Sequence, residues 1–393
     1  MQKDGKYLSR LKSSLIDGFL IIGITSALIL FCEAFLRFFY PQNLVGSRIT
    51  GETFSNSDEI FGVRFTPGAR WRFAHPEYNV EYEINKQGFR DKKKHLVPKP
   101  KDTLRVLLIG DSFTFGLGVD YDQIWPVIVE KRFIKSGNNS IDLVKAGIIG
   151  MDTRSEFFLI KDILEKYDSD FVVVGFLIND LYTNTLFGIT EKINSDGNNE
   201  ADARALDIEN ESENSWIKTK KQIFIRNDRI SNFHLLTLAK RLAIESEYLY
   251  CKLYLHSARG EYLTFPLAAG PLEKLRITEV LLKEIARYCH SLGKKLIVVS
   301  IPQQFQVLYS KLLINHPNID VSFYDNYFFN IAKQNNFIWI TTLDEFVKSK
   351  SGEKLFYRLD GHLTSEGNKI VADVFVEKIF PYLIDFEYGS FIH

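Results

Sequence analysis

Cysteine is scarce in this chain, and a net charge is missing. Cys32, Cys251 and Cys289 are the only three cysteines among 393 residues. Three thiols cannot build a disulfide framework, and their spacing matches no metal-ligand pattern, so neither a disulfide-stapled nor a zinc-binding class applies. One Cys251–Cys289 bridge stays open. Lys+Arg and Asp+Glu each number 49, so the formal net charge is zero. No basic field points to nucleic acid and no acidic field to a cationic partner. No internal repeat is evident. What is there is ordinary globular content, 45% hydrophobic, in a length that suits one large α/β domain with insertions or two domains.

One long uncharged run stands out. Gly18–Cys32 (GFLIIGITSALILFC) carries no charge, and AFLRFFY extends its apolar character to Tyr40. A spanning helix needs about 20 mostly apolar residues, which this stretch reaches if Glu33 and Arg37, one helical turn apart, pair or snorkel at the interface. Phe35, Phe38, Phe39 and Tyr40 then form an interfacial aromatic cluster. A cleaved signal peptide is the alternative. The one small-x-small site nearby, Cys32-Glu33-Ala34, is a poor cleavage site, which favours an uncleaved anchor over 15–40. Lys3, Lys6, Arg10 and Lys12 precede the span, so residues 1–14 are expected in the cytoplasm and the large domain on the exported side.

Beyond Pro41 the chain is rich in Gly, Pro and aromatics as far as Pro100, with one alternating run, Asn79–Asn85, that predicts a strand. Residues 41–100 read as a small β-rich collar, closed by the PKPK punctuation at Pro98–Lys101. From 101 to 393, apolar runs at Leu104–Ile109, Ile141–Val144, Phe171–Phe176, Lys295–Ile301 and Phe337–Ile340 alternate with amphipathic stretches at Trp125–Ile134, Arg154–Lys166 and Pro271–Ser291. That rhythm predicts a five-stranded parallel sheet with helices on both faces. The interval 181–265 breaks it and reads as an insertion over one end of the sheet, a candidate lid. Thr190–Asn214 is acidic and Asn/Ser-rich, which suggests a loop. Ile230–Tyr254 is helical, with Leu235, Leu236, Leu238, Leu242 and Tyr248 as its packing face.

Four separated segments carry chemistry. Gly110-Asp111-Ser112 ends the first strand, where open α/β sheets place their ligands and where the following helix can offer N–H groups to an anion. Ala146–Thr153 (AGIIGMDT) follows the second strand, and the Gly150 N–H could donate to a ligand. Gly175–Asp180 (GFLIND) follows the third, where the Asn179 amide can point a donor into the same crevice. Arg358–Asp373 (RLDGHLTSEGNKIVAD) follows the fifth, with Asp360 and His362 in one short loop. A histidine base needs its far nitrogen oriented, and a nearby carboxylate does that. Taken singly, these segments also fit a loop serine, a tight turn, an N-cap pair and a chance His/Asp neighbourhood.

Their order is far more specific than any one of them. The set resembles the SGNH hydrolase (GDSL esterase/lipase) superfamily, whose four blocks supply Ser, Gly, Asn and His in this order. The resemblance covers Leu104 to Phe380 apart from the insertion. Asn85–Lys94 (NKQGFRDKKK) also resembles what precedes the serine block in exported, membrane-anchored bacterial members. The resemblance implies a flavodoxin-like three-layer α/β/α fold with strand order 2-1-3-4-5. It implies Ser112 as nucleophile, His362 as general base and Asp360 as its orienting acid. The oxyanion hole would be the Ser112 and Gly150 N–H groups with the Asn179 side chain. Two positions depart from the pattern. Asp360 lies two residues before His362, where many members have three, and Lys145 stands where relatives often carry asparagine.

The expected activity is a serine-dependent ester hydrolase that needs neither metal nor organic cofactor. Its expected partners are an acylated envelope glycan or lipid-linked sugar and the membrane, but no nucleic acid. Transfer of the acyl group to an exported polysaccharide is the alternative, and a silent binding or assembly protein on the same fold is a second. Oligomeric state is not readable.

Overall fold

The computed structural model describes residues 2–42, 47–58, 62–138, 140–186, 233–312, 316–350 and 354–389. Two compact units emerge: one joins the N-terminal helix to the helix His234–Glu245, and the other holds the remaining described residues.

The larger unit is organised by sheets. Its strands, in chain order, are β1 (Arg48–Gly51), β2 (Ser55–Asp58), β3 (Gly62–Phe65), β4 (Arg70–His75), β5 (Tyr78–Glu83), β6 (Leu104–Gly110), β7 (Ile141–Gly147), β8 (Phe171–Leu177), β9 (Lys295–Ile301) and β10 (Ile338–Thr341). The last five form one sheet in the order β10-β9-β8-β6-β7, with every neighbouring pair parallel. In chain order that is the 2-1-3-4-5 arrangement expected. Strands β6, β7 and β8 are buried at every position, because helices cover both faces and the strands are apolar nearly throughout.

Alternate residues feed two cores. Leu107, Ile109, Val172, Val174 and Val298 face one layer, built from helices Thr153–Tyr167, Ala269–Ser291 and Phe323–Gln334. Val106, Leu108, Val173, Ile297 and Val299 face the other, built from Trp125–Lys135 and Ser365–Lys378. Local chemistry starts these helices. Pro126 sits at the opening of the first helix named for the second layer. Asp152 accepts from the Ser155 N–H at 3.0 Å, and Thr364 caps the helix Ser365–Lys378.

Strands β1, β4 and β5 form an antiparallel sheet, and β2 and β3 a hairpin. This region shares the first core rather than having its own: Phe65, Trp71 and Tyr82 pack on Phe115, the last residue of the short helix Ser112–Phe115. Cys251 and Cys289 are free, buried thiols, not a bridge.

The predicted 230–254 helix differs in one respect. It is two helices, His234–Glu245 and Glu247–Leu255, separated at Ser246, which is extended and caps the second. Tyr248 therefore falls on a different helix from Leu235, Leu236, Leu238 and Leu242, and Leu236, Leu242 and Tyr248 are exposed. The predicted loop at Thr190–Asn214 lies outside the described residues.

In the smaller unit, Gln2–Phe39 is a single helix. Its Leu15–Phe39 part, 25 residues, is long and apolar enough to cross a membrane.

Candidate active site

Three neighbouring strands carry glycine in register at or near their carboxyl ends, Gly110 opposite Gly147 and Gly175. The short helix Ser112–Phe115 lies across this shelf. A Cβ at Gly147 would stand 2.5 Å from the Phe115 backbone nitrogen, and one at Gly110 or Gly175 would strike Thr114 Oγ1 at 2.1 and 2.2 Å. Bare backbone at these positions lets the serine helix sit directly on the sheet. Asp111 caps that helix, accepting from the Phe113 N–H at 2.8 Å.

The histidine loop is closed by its own backbone. The Tyr357 N–H donates to the His362 carbonyl at 2.9 Å, and the Gly361 N–H donates to the Tyr357 carbonyl at 2.8 Å. Gly361 has φ +83, a conformation glycine takes without strain. This turn brings Asp360 and His362 together, and their two-residue spacing is no obstacle.

Ser112, His362 and Asp360 form a continuous line. Ser112 Oγ lies 2.7 Å from His362 Nε2, and His362 Nδ1 lies 2.6 Å from Asp360 Oδ2. Ser112 is 8% exposed, and the His362 ring tilts against Phe113. Burial disfavours charge on His362, but Asp360, by charge and hydrogen bond, outweighs it with help from Asp111, so the imidazole titrates above its ordinary 6.5. Burial likewise acts to raise Asp360, and His362 overcomes it, leaving that carboxyl below its ordinary value.

Gly150 (φ +78) lies exposed on the turn after β7. Asn179, two residues past β8, opens the helix Asp180–Thr183, and its amide favours the Asp111 carboxylate. All three predicted oxyanion-hole residues therefore lie just beyond the carboxyl ends of β6 and its two neighbours, β7 and β8. Behind them Asp111, Glu156 and Asp180 are buried carboxyls. Burial raises the pKa of each, and mutual repulsion pushes Glu156 and Asp180 up further.

Several supporting residues escaped the sequence reading. Glu77, at the tip of the β4–β5 hairpin, accepts the Leu359 N–H at 2.9 Å and the Asp360 N–H at 3.0 Å through one oxygen. Arg90 donates to the carbonyls of Phe115, Gly116 and Val119 at 3.0, 2.7 and 2.8 Å. The Gly118 N–H donates to the Tyr82 hydroxyl, while the Tyr357 hydroxyl donates to the Gly118 carbonyl. The N-terminal β region thus grips both the serine loop and the histidine loop. Arg90 falls within the Asn85–Lys94 stretch already singled out, but Glu77 stands 282 residues from Leu359, and no local pattern links them.

Lys145 also finds its place. Its ammonium meets Asp91 at 3.1 Å and Glu130 at 2.9 Å. Asp91 also contacts His95 Nε2 at 2.9 Å, and Asp142 contacts His95 Nδ1 at 3.0 Å. This buried ion network supports the edge of the sheet.

Solved structures similar to this chain include TesA (14% identity, TM-score 0.35, covering 70% of this chain and 98% of that one). Another is the psychrotrophic esterase EstA from Pseudoalteromonas sp. (13%, 0.37, 71% and 98%). A third is a catalytic mutant of Axe2, an acetylxylan esterase from Geobacillus stearothermophilus (14%, 0.38, 70% and 94%). No protein-family model and no curated protein matches the chain.

Proposed function

We propose that this chain is a serine-dependent ester hydrolase of the SGNH hydrolase type. The observation that carries the reading is the 2.7 Å contact between Ser112 Oγ and His362 Nε2, with Asp360 on the far nitrogen. His362 takes the serine proton as Ser112 Oγ attacks the ester carbonyl. Asp360 holds the ring and balances the imidazolium that forms. The Ser112 and Gly150 N–H groups and the Asn179 amide receive the oxyanion, each donor contributing roughly 3 kcal/mol. His362 then returns its proton to the departing alkoxide, and water activated by the same imidazole releases the acyl group from the serine.

The substrate class in this reading is a short acyl ester on an envelope glycan or lipid-linked sugar. Residues 15–40 anchor the protein as a single span. The basic N-terminus stays in the cytoplasm, and the catalytic domain lies on the exported side, periplasmic or extracellular. The test is hydrolysis of p-nitrophenyl esters, from acetate to dodecanoate, by the full chain in detergent and by Ser112→Ala. Turnover that fades with chain length and vanishes in Ser112→Ala is expected. A folded wild type without turnover refutes hydrolysis. Acylation of a glycan acceptor would then identify a transferase, and an unreactive Ser112 toward a fluorophosphonate a silent binding protein.

A further inference from the structure

Glu33 is a carboxylate inside the apolar stretch Leu15–Phe39, yet it is 8% exposed. Its two oxygens accept the His234 N–H at 3.0 Å and the Leu235 N–H at 2.9 Å, and Arg37 donates to it at 3.2 Å. His234 Nδ1 in turn accepts the Gln42 N–H at 2.8 Å. The first N–H groups of a helix have no acceptor within the helix, and its dipole favours an anion there. Glu33 meets both needs. The helix His234–Glu245 is therefore pinned to the last turns of the apolar helix, where Arg37, Phe38, Phe39 and Tyr40 mark the change from apolar to mixed chemistry.

The pinned helix is two-faced. Leu235, Leu236, Leu238, Ala239, Leu242 and Ala243 share one arc, and His234, Thr237, Lys240, Arg241 and Glu245 the opposite one, which Ile244 interrupts. Leu236 is 46% and Leu242 56% exposed, and Phe233, just before the helix, is 57% exposed. Leu236 and Leu242 are thus exposed on a helix tied to the end of the span, while Leu235 and Leu238 of the same arc are half-buried.

We propose that His234–Glu245 lies in the membrane interface, with Leu236 and Leu242 in the acyl boundary and Lys240 and Arg241 toward the headgroups. The partner is a phospholipid bilayer surface. Two features favour lipid as the occupant: the helix begins at the aromatic and charged end of the span, and its polar arc carries Lys240 and Arg241. The proposal rests on reading 15–40 as an anchor, and the experiment separates the two.

The full chain is reconstituted in phosphatidylcholine vesicles and spin-labelled at one cysteine at a time. Native Cys32 is exposed, whereas Cys251 and Cys289 are buried, so the wild type reports on the span. Leu242→Cys and Lys240→Cys, each with Cys32→Ala, report on the helix, and both positions are exposed. Collision with oxygen, which partitions into lipid, is compared with collision with a water-soluble nickel chelate. An oxygen-to-nickel ratio several-fold higher at 242 than at 240, beside a high ratio at Cys32, is expected. A high ratio at Cys32 with equal ratios at 242 and 240, or little collision with either reagent at 242, overturns the interfacial helix and leaves the anchor standing. A low ratio at Cys32 overturns both.

Discussion

Two histidines in this protein are each held between two hydrogen-bonding partners, and only one of them has a lone pair to offer. His95 stands between Asp142 on Nδ1 and Asp91 on Nε2, at 3.0 and 2.9 Å. Carboxylates only accept, so both ring nitrogens must donate and the ring is an imidazolium. His362 stands between Asp360 on Nδ1 and the Ser112 hydroxyl on Nε2. A hydroxyl can donate, so this ring can stay neutral with Nε2 poised to take the serine proton. Burial works against charge on both rings and carboxylates overcome it, so both titrate above 6.5. What separates a structural cation from a base is the group on the second nitrogen, not the shift.

The sharpest way to break this comparison is to remove each partner set in turn. Ser112→Ala and His362→Gln should each lower kcat/KM for an ester by about 10⁴-fold or more while leaving the thermal midpoint near that of wild type. His95→Gln should do the reverse. It leaves Asp91 or Asp142 short of a donor and should destabilise the fold by about 3–5 kcal/mol, read by denaturant unfolding, with activity retained while folded. If His95→Gln abolished turnover in a fully folded protein, the division of labour would be wrong.

The pH behaviour of the pair follows from the same shifts. A raised His95 pKa contributes stability that is full below 6.5 and is lost as pH rises through the folded value. Burial acts to raise Asp91 and Asp142 too, but the His95 hydrogen bonds and the nearby lysines lower both overall, so their contribution is present above 3.8 and lost as pH falls through the folded values. Unfolding midpoints across pH should fall on both sides, and His95→Gln should reduce the alkaline fall to the part that His362 contributes. His362 must be neutral to act, so kcat/KM should rise with pH along a limb centred above 6.5.

Smaller effects test how the site is held. Gly147→Ala puts a methyl group against the Phe115 backbone, and the resulting shift of the serine helix should lower kcat by about 10²-fold. Glu77→Ala frees the Leu359 and Asp360 N–H groups. It should lower kcat/KM by about 10-fold and move the rising limb downward, toward 6.5, as Asp360 loosens its hold on His362. An unchanged limb would make Glu77 a loop fastener with no bearing on the base.

Much of this protein is legible along the chain. Buried parallel strands must be apolar nearly throughout, so Leu104–Gly110 and Phe171–Leu177 announce themselves, and the serine and asparagine follow directly after these runs, whereas His362 lies beyond a further helix after β10. Helix partners are harder to read. Leu236 and Leu242 look like core residues because amphipathicity records only that a face is apolar, not what covers it. Ser246, which divides the two helices, is unremarkable as a letter.

The sequence by itself determined the order of strands and helices, the apolar N-terminal stretch and the positions of Ser112, Gly150, Asn179, Asp360 and His362. These are encoded by hydrophobic period and by residues adjacent to strand ends. Only the tertiary structure decided that Glu77 holds the loop of Asp360, that Lys145 answers Asp91 and Glu130, and which buried histidine faces a hydroxyl rather than a second carboxylate. Those outcomes depend on groups tens to hundreds of residues apart, whose meeting is set by packing and leaves no trace in local pattern.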